Sequence, residues 1–284
     1  MADIENLVET LALEPIEMNL FRGTSPRDQG PRIFGGHVIA QALLAAYETV
    51  QDRVCHSIHC YFIRPGDPKV PILYEVDRAR DGASFTTRRV VAIQHGEQIF
   101  NLAGSFQLPE DGFEHQAVMP YAPAPDTLDD GRAQMAAMAK TLSPEMAAAM
   151  MRPRPIDLRT ATPSAQGDIA PPINNVWMRA KAPIGADAHL HQALLAYASD
   201  MALLGTAMRP HGVWWQTPGL QSASLDHAIW FHRPSNFNHW HLYAQDTPSG
   251  SGARGFIRGQ LFSQDGTLVA SVAQEGLIRM RKKG

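Results

Sequence analysis

The chain has 284 residues, 44% of them hydrophobic, and a formal net charge of −3. That length allows one large domain or two small ones with a sizeable core, and the near-neutral charge offers no basic footprint for nucleic acid. The acidic opening Met1-Ala2-Asp3-Ile4-Glu5 has no apolar signal region, no run reaches the roughly 18 apolar residues of a membrane helix, and Ser-Lys-Leu does not end the chain. A cytoplasmic protein without membrane insertion is therefore expected. The short basic end from Arg279 to Gly284 reads as a solvated tail. Cys55 and Cys60 are five apart, so a regular strand would send them to opposite faces; two reduced, buried thiols are expected.

In chain order, the first patterned stretch runs from about Asn6 to Gln107. Val38, Ile39, Ala42, Leu43, Ala46 and Tyr47 recur at helical spacing just after Gly35-Gly36. Strand-like segments follow at 57–63, 72–78, 84–93 and 98–107, with turns at Asp81-Gly82 and Gln94-His95-Gly96-Glu97. From Leu108 to about Asn174 prolines punctuate the chain and the pattern lapses. The Ala/Met-rich run 132–151 predicts one or two short helices, its methionines filling gaps between the halves rather than lining an entrance. Beyond it, a strand is expected near Val176. Leu190, Ala193, Leu194, Tyr197, Ala198 and Met201 mark a second helix, and strands follow at 224–232, 239–245, 253–263 and 268–280. Trp214 and Trp215, ahead of these strands, read as packing aromatics. The boundaries are 1–108 for a first repeat, 109–173 for a connection without its own core, and 174–284 for a second repeat.

The halves repeat each other in detail. Arg64-Pro65 returns as Arg233-Pro234 at an offset of 233 − 64 = 169, and Tyr74 and Asp77 return as Tyr243 and Asp246 at the same offset. Arg88 and His95-Gly96 match Arg258 and Asp265-Gly266 at 170, while Gln41-Ala42-Leu43-Leu44-Ala45 matches Gln192-Ala193-Leu194-Leu195-Ala196 at 151. A duplication of this size governs the fold. A helix and then sequential antiparallel strands, twice over, predict two curved sheets that wrap their helices and join edge to edge, shielding open edges.

Asp200 follows the second helix's buried stripe. Two readings stand: a carboxylate whose burial raises its pKa into the range of a useful base, or a solvent-facing residue at a helix break. Ser224 and Asp226 would share a strand face with His227 opposite, and there is no Gly-x-Ser-x-Gly elbow, so a serine-hydrolase triad is disfavoured and Asp226 and His227 read as structural hydrogen-bonding residues. Gln274 stands where the first copy has Gly104; it is either an outward glutamine or an amide that holds a water or a carbonyl oxygen. Arg88, Arg89, Arg254 and Arg258 are candidates to meet an anionic phosphate, or simply outward-facing sheet arginines. His239 with His241, and His189 with His191, lack a third ligand nearby, so no metal and no cofactor is expected.

Several long motifs resemble the acyl-CoA thioesterase II family. They are Phe34-Gly35-Gly36-His37-Val38-Ile39-Ala40-Gln41-Ala42-Leu43, the run from His56 through Arg64-Pro65-Gly66-Asp67, and Arg80-Asp81-Gly82-Ala83-Ser84-Phe85 with Arg88-Arg89-Val90. In the second half they are Tyr197-Ala198-Ser199-Asp200, the run from Ser224 through Arg233-Pro234, and Gln274-Glu275-Gly276. The resemblance implies an α+β double hotdog, two tandem helix-plus-sheet repeats forming one continuous curved sheet. It implies hydrolysis of fatty acyl-CoA of medium to long chain to free acid and CoA. The family's catalytic Asp, hydroxyl residue and Gln fall on Asp200, Ser224 and Gln274; the hydroxyl is often Thr in the family and is Ser here. A backbone N–H near Gly35-Gly36 would receive the oxyanion, arginines the CoA phosphates, and a homo-oligomer, dimer or tetramer, is expected. The alternatives are a non-catalytic acyl-CoA binding or regulatory module, and a hotdog-type enoyl-CoA hydratase using His37.

Overall fold

The computed structural model describes residues 2–26, 30–140, 144–152, 154–165 and 167–281. Met1, Thr141-Leu142-Ser143 of the Ala/Met-rich run, Pro153, and Lys282-Lys283-Gly284 of the basic end lie outside the described residues. The elements of the first half are α1 (Ala2–Leu11), β1 (Glu14–Glu17), β2 (Leu20–Gly23), α2 (Gly35–Tyr47), β3 (Val54–Phe62), β4 (Ile72–Asp81), β5 (Phe85–Gln94) and β6 (Glu97–Gln107). Two short helices, α3 (Arg132–Ala139) and α4 (Pro144–Met151), follow and pack on each other. The remainder comprises β7 (Ile156–Thr160), β8 (Ile173–Ala180), α5 (Ala188–Ser199), α6 (Leu203–Met208), β9 (Leu220–Ser224), β10 (Asp226–Phe231), β11 (His241–Ser251), β12 (Arg254–Ser263) and β13 (Leu268–Met280).

The strands make one antiparallel sheet in the order β1-β2-β4-β5-β6-β3-β10-β13-β12-β11-β8-β7, with β9 also on β13. Read from its centre the order is the same in both directions, because β3 pairs with β10, Ile58 opposite Ile229, and joins two equivalent sheets edge to edge. This is the double hotdog. α2 and α5 lie against each other on the concave side, α2 on β4–β6 and α6 on β11–β13. One hydrophobic cluster runs through both halves, from Leu43 and Phe106 to Leu194 and Ile257. β7, inside the proline-punctuated stretch, pairs with β8 and completes the second sheet.

The duplication extends to irregularities that periodicity does not reveal. The ladder slips between Asp77 and Arg80 in β4 and between Asp246 and Ser249 in β11. It slips between Cys55 and Ser57 in β3, and by one residue between Ser224↔Gly276 and Ala228↔Ala273 across β9 and β10. A bulge inserts a residue and reverses the facing of everything beyond it. Two expectations change as a result. Cys55 and Cys60 do not face opposite sides; both are buried and free. Ser224 does not share a face with Asp226; Leu225 is the inserted residue, and Ser224 and His227 point inward together.

Register also corrects one correspondence. Asp77 pairs with Arg89 and Asp246 with Arg258, so the equivalent of Arg258 is Arg89, not Arg88. The one-residue drift lies in the β-turns. His95 (φ 53°) and Gly96 (φ 75°) form a two-residue turn between β5 and β6; four residues separate the paired Ile93 and Gln98 there, and five separate their equivalents Phe262 and Leu268.

Candidate active site

α5 starts at Asp187, whose side chain accepts the His189 N–H, and its buried face carries it between α2 and the sheet. Asp200 caps its C-terminal end with helical backbone (φ −80°, ψ −10°). The Gly35-Gly36 pair opens α2 directly opposite. A Cβ on Gly36 would stand 2.3 Å from the Tyr197 carbonyl oxygen, and one on Gly35 would stand 2.7 Å from Asp200 Oδ2. Only glycines let the two chains approach this closely.

Three separate elements bring the polar groups together. Ser224, at the end of β9, has its Oγ 3.5 Å from Asp200 Oδ1. Gln274, on β13 and 1% exposed, donates from Nε2 to Ser224 Oγ at 2.5 Å and also hydrogen-bonds Asp200. The Gly36 N–H donates to the Asp200 carboxylate. Burial nonetheless outweighs all three donors and raises the Asp200 pKa from 3.8 to about 7. Asp200 is half-buried rather than solvent-facing, and it lines a cavity. The bulge that turns Ser224 inward is itself anchored: Leu225 N–H donates to the Glu275 carbonyl, and Asp226 Oδ1 accepts the Glu275 N–H at 2.6 Å.

Asp200 and Ser224 stand on the wall of a cavity of about 720 Å³. Phe34, Val38, Phe62, Ile99, Leu158 and Leu204 make it apolar, and Arg32, Arg64 and Arg154 are its arginines. Gln274 lies behind Ser224 rather than on the wall, so its amide reaches the serine and the carboxylate and not the cavity. Gly35 lines the cavity, whereas the Gly36 N–H is already committed to Asp200.

None of the four arginines expected to meet phosphate lines this cavity. Arg88 is 1% exposed; it donates to Thr49 Oγ1 at 2.8 Å, to the Thr49 carbonyl at 2.9 Å and to Asp81 at 2.5 Å. Arg89 is exposed and pairs across the ladder with Asp77, Arg254 binds Glu275, and Arg258 binds Asp246. The arginines that do line it are Arg32, Arg64 and Arg154, together with the half-exposed Trp215. Arg64 carried a signal, being the repeated Arg-Pro strand end. Trp215, between α6 and β9, lines the cavity rather than only packing. His37 is fully buried, with Nε2 against the Thr24 carbonyl oxygen and a pKa pushed by burial down to about 4; it does not line the cavity. That leaves the hydratase alternative without its histidine. In the first copy the positions of Asp200, Ser224 and Gln274 are held by Thr49, Cys55 and Gly104, and Arg88 fills the space beside Thr49.

A double hotdog with a carboxylate and a hydroxyl on the wall of an apolar cavity, and an amide behind them, holds the groups that activating a water requires. The family models described as "Acyl-CoA thioesterase" and "Acyl-CoA thioesterase N-terminal domain" match residues 148–277 and 24–107. The chain is 42% identical to Acyl-CoA thioesterase 2 of Haemophilus influenzae, covering 98% of this chain and 99% of that one. Among solved structures, the acyl-CoA thioesterase II TesB2 of Mycobacterium marinum superposes with a TM-score of 0.80 at 39% identity, over 97% and 99% of the two chains. A hot dog fold protein of Alicyclobacillus acidocaldarius shares the fold at 19% identity, TM-score 0.78, over 98% and 99%. The chain belongs to the acyl-CoA thioesterase II family and is a thioester hydrolase.

Proposed function

We propose that this enzyme hydrolyses medium- to long-chain fatty acyl-CoA by direct attack of a water activated by Asp200. The observation that carries the reading is the meeting of Asp200 and Ser224 on the wall of an apolar cavity, with Gln274 bonded to both from behind and Asp200 poised at about 7. A base whose pKa lies near the working pH is deprotonated often enough to act and basic enough to take a proton. Asp200 takes one proton from the water, and the water oxygen bonds to the thioester carbon. The oxyanion is received at the α2 start, where Gly35 lines the cavity and the Gly36 N–H steadies the carboxylate. Collapse breaks the C–S bond, and the proton on Asp200 passes to the departing thiolate, giving free acid and CoA. Ser224 orients the water, and Gln274 holds Ser224 and Asp200 in register from behind. The acyl chain lies along Phe34, Val38, Phe62 and Leu204, and the CoA phosphates meet Arg32, Arg64 and Arg154. No covalent acyl-enzyme is formed.

In this reading the second repeat kept the catalytic groups and the first became their structural partner, supplying Gly35-Gly36 and part of the cavity. The chain works in the cytoplasm as a homo-oligomer. Among the described residues no helix is long and apolar enough to cross a membrane. Thiol release across an acyl-CoA chain-length series tests the reading. Wild type turns over the longer acyl chains, and Asp200→Asn is inactive on all of them; full activity in the variant would overturn the assignment of the base.

A further inference from the structure

We infer that His227 is a positioning residue that fixes which end of the Gln274 amide faces Asp200. The inference rests on the assignment of Asp200, Ser224 and Gln274 above. His227 is fully buried on β10 and its ring hydrogen-bonds two side chains: Nδ1 is 2.8 Å from Gln274 Oε1, and Nε2 is 2.8 Å from Ser199 Oγ. Ser199, the last residue of α5, precedes Asp200, and its backbone carbonyl accepts from the Tyr243 hydroxyl at 2.9 Å. A hydrogen-bonded chain therefore leaves α5 at Ser199, crosses to His227, continues to Gln274 and Ser224, and returns to Asp200.

The orientation of the Gln274 amide gives this chain a direction: its Oε1 faces His227 Nδ1 and its Nε2 faces Ser224 Oγ. Ser199 has one hydroxyl hydrogen and two acceptors at 2.8 Å, the Ala196 carbonyl oxygen and His227 Nε2. When it donates to Nε2, the neutral ring carries its proton on Nδ1 and donates to Gln274 Oε1. The amide then turns its NH₂ toward Ser224 Oγ and Asp200, and Ser224 is free to donate to the carboxylate. Every group around an ionised Asp200 is a donor: the Gly36 N–H, the Ser224 hydroxyl and the Gln274 amide. If Ser199 donates to Ala196 instead, the ring proton moves to Nε2, and a bare Nδ1 draws the amide NH₂ to itself. Gln274 Oε1 would then face Ser224 and Asp200, putting an acceptor beside the base. Held neutral in its buried site, the imidazole supplies one N–H and one lone pair rather than two donors. The other titratable groups facing Asp200 are the Cys60 thiol from β3 and the Tyr243 hydroxyl from β11, and burial raises the pKa of both.

The test compares two substitutions of equal size. His227→Asn keeps an N–H where Nδ1 stands; His227→Leu removes it. For His227→Leu the expected result is a loss of about ten- to a hundredfold in kcat with KM little changed, the scale of a few kcal/mol for an unpaired buried amide. The acid limb of its kcat/KM–pH profile moves to higher pH, because a flipped Gln274 puts an acceptor beside Asp200. His227→Asn is expected to stay within about threefold of wild type with the limb unmoved. Wild-type rates and profile in His227→Leu, or equal losses in both variants with an unmoved limb, would overturn the inference and leave His227 a packing residue. Should a variant fail to fold, the long-range ¹H–¹⁵N spectrum of [¹⁵N]histidine-labelled wild type decides. A non-titrating ring protonated on Nδ1 is expected, and its absence overturns the inference. The underlying site assignment is tested separately by Gln274→Ala. Full activity there would reject that assignment; impaired Gln274→Ala with wild-type-like His227→Leu would reject only the role of His227.

Discussion

Replacing Asp200 by Asn removes the proposed base and a desolvated charge together, and the two effects have opposite signs. Burial holds the Asp200 carboxyl at about 7 against the ordinary 3.8. Keeping it ionised in the folded chain therefore costs on the order of 4 kcal/mol above pH 7. Between pH 4 and 7 the folded protein retains a proton that the unfolded chain has already released, so wild-type stability falls as pH rises through this window and levels off above it. Asn does not titrate. The variant should gain on wild type by about 3 kcal/mol between pH 5 and pH 8, roughly 6 °C in Tm for a chain of this size. Over the same range its activity should be lower by about 10²- to 10⁴-fold, the usual contribution of a general base. Wild-type kcat/KM should fall tenfold per pH unit below about 7. Thermal unfolding at the two pH values, with thiol release as the activity assay, reads both effects. Activity within a few-fold of wild type, or a Tm gap that does not widen with pH, would refute the reasoning.

Other substitutions separate the remaining roles. Ser224→Ala should lose about ten- to a hundredfold in kcat through the missing hydroxyl, while Ser224→Thr, which keeps it, stays near wild type in the same assay. Gln274→Glu sets a second carboxylate beside Asp200 and should move the acid limb of the pH–rate profile upward. Arg88→Met leaves the buried Thr49 hydroxyl and carbonyl without their donor and should lower denaturant stability by about 1–3 kcal/mol with the KM for acyl-CoA unchanged. Arg32→Ala and Arg154→Ala, at the cavity, should do the reverse: a raised KM for acyl-CoA with unfolding unaffected.

The duplication, the central helix and the main strands of each repeat, and the candidacy of Asp200, Ser224 and Gln274 were legible in the sequence, because long motifs and apolar periodicity survive in a linear reading; β1, β2 and β7, short and outside that pattern, were not. The facing of side chains near the bulges was not. A period of two assigns Cys55 and Cys60 to opposite faces and joins Ser224 to Asp226, and one inserted residue in each copy reverses both results. His227 read as a structural residue for the same reason; the bulge brings it to Gln274. The surroundings of the strand arginines were not legible either, because an arginine on a strand gives no sign of whether its partner is solvent, an acid or a buried threonine. Arg88 shows the last case, its guanidinium taken up by Thr49 and Asp81. The Gly35-Gly36 pair was visible as a helix start, but the reason for two glycines, the Tyr197 carbonyl and the Asp200 carboxylate pressed against them, depends on a helix more than 150 residues away in the chain.

Direct attack by an Asp200-activated water is tested most directly by a single turnover in H₂¹⁸O with enzyme in excess over acyl-CoA. The account predicts one ¹⁸O in the fatty acid released in that first turnover and none in the peptide containing Asp200. Incorporation of ¹⁸O into the Asp200 carboxylate would mean that the acyl group had been carried on the enzyme, and would contradict it.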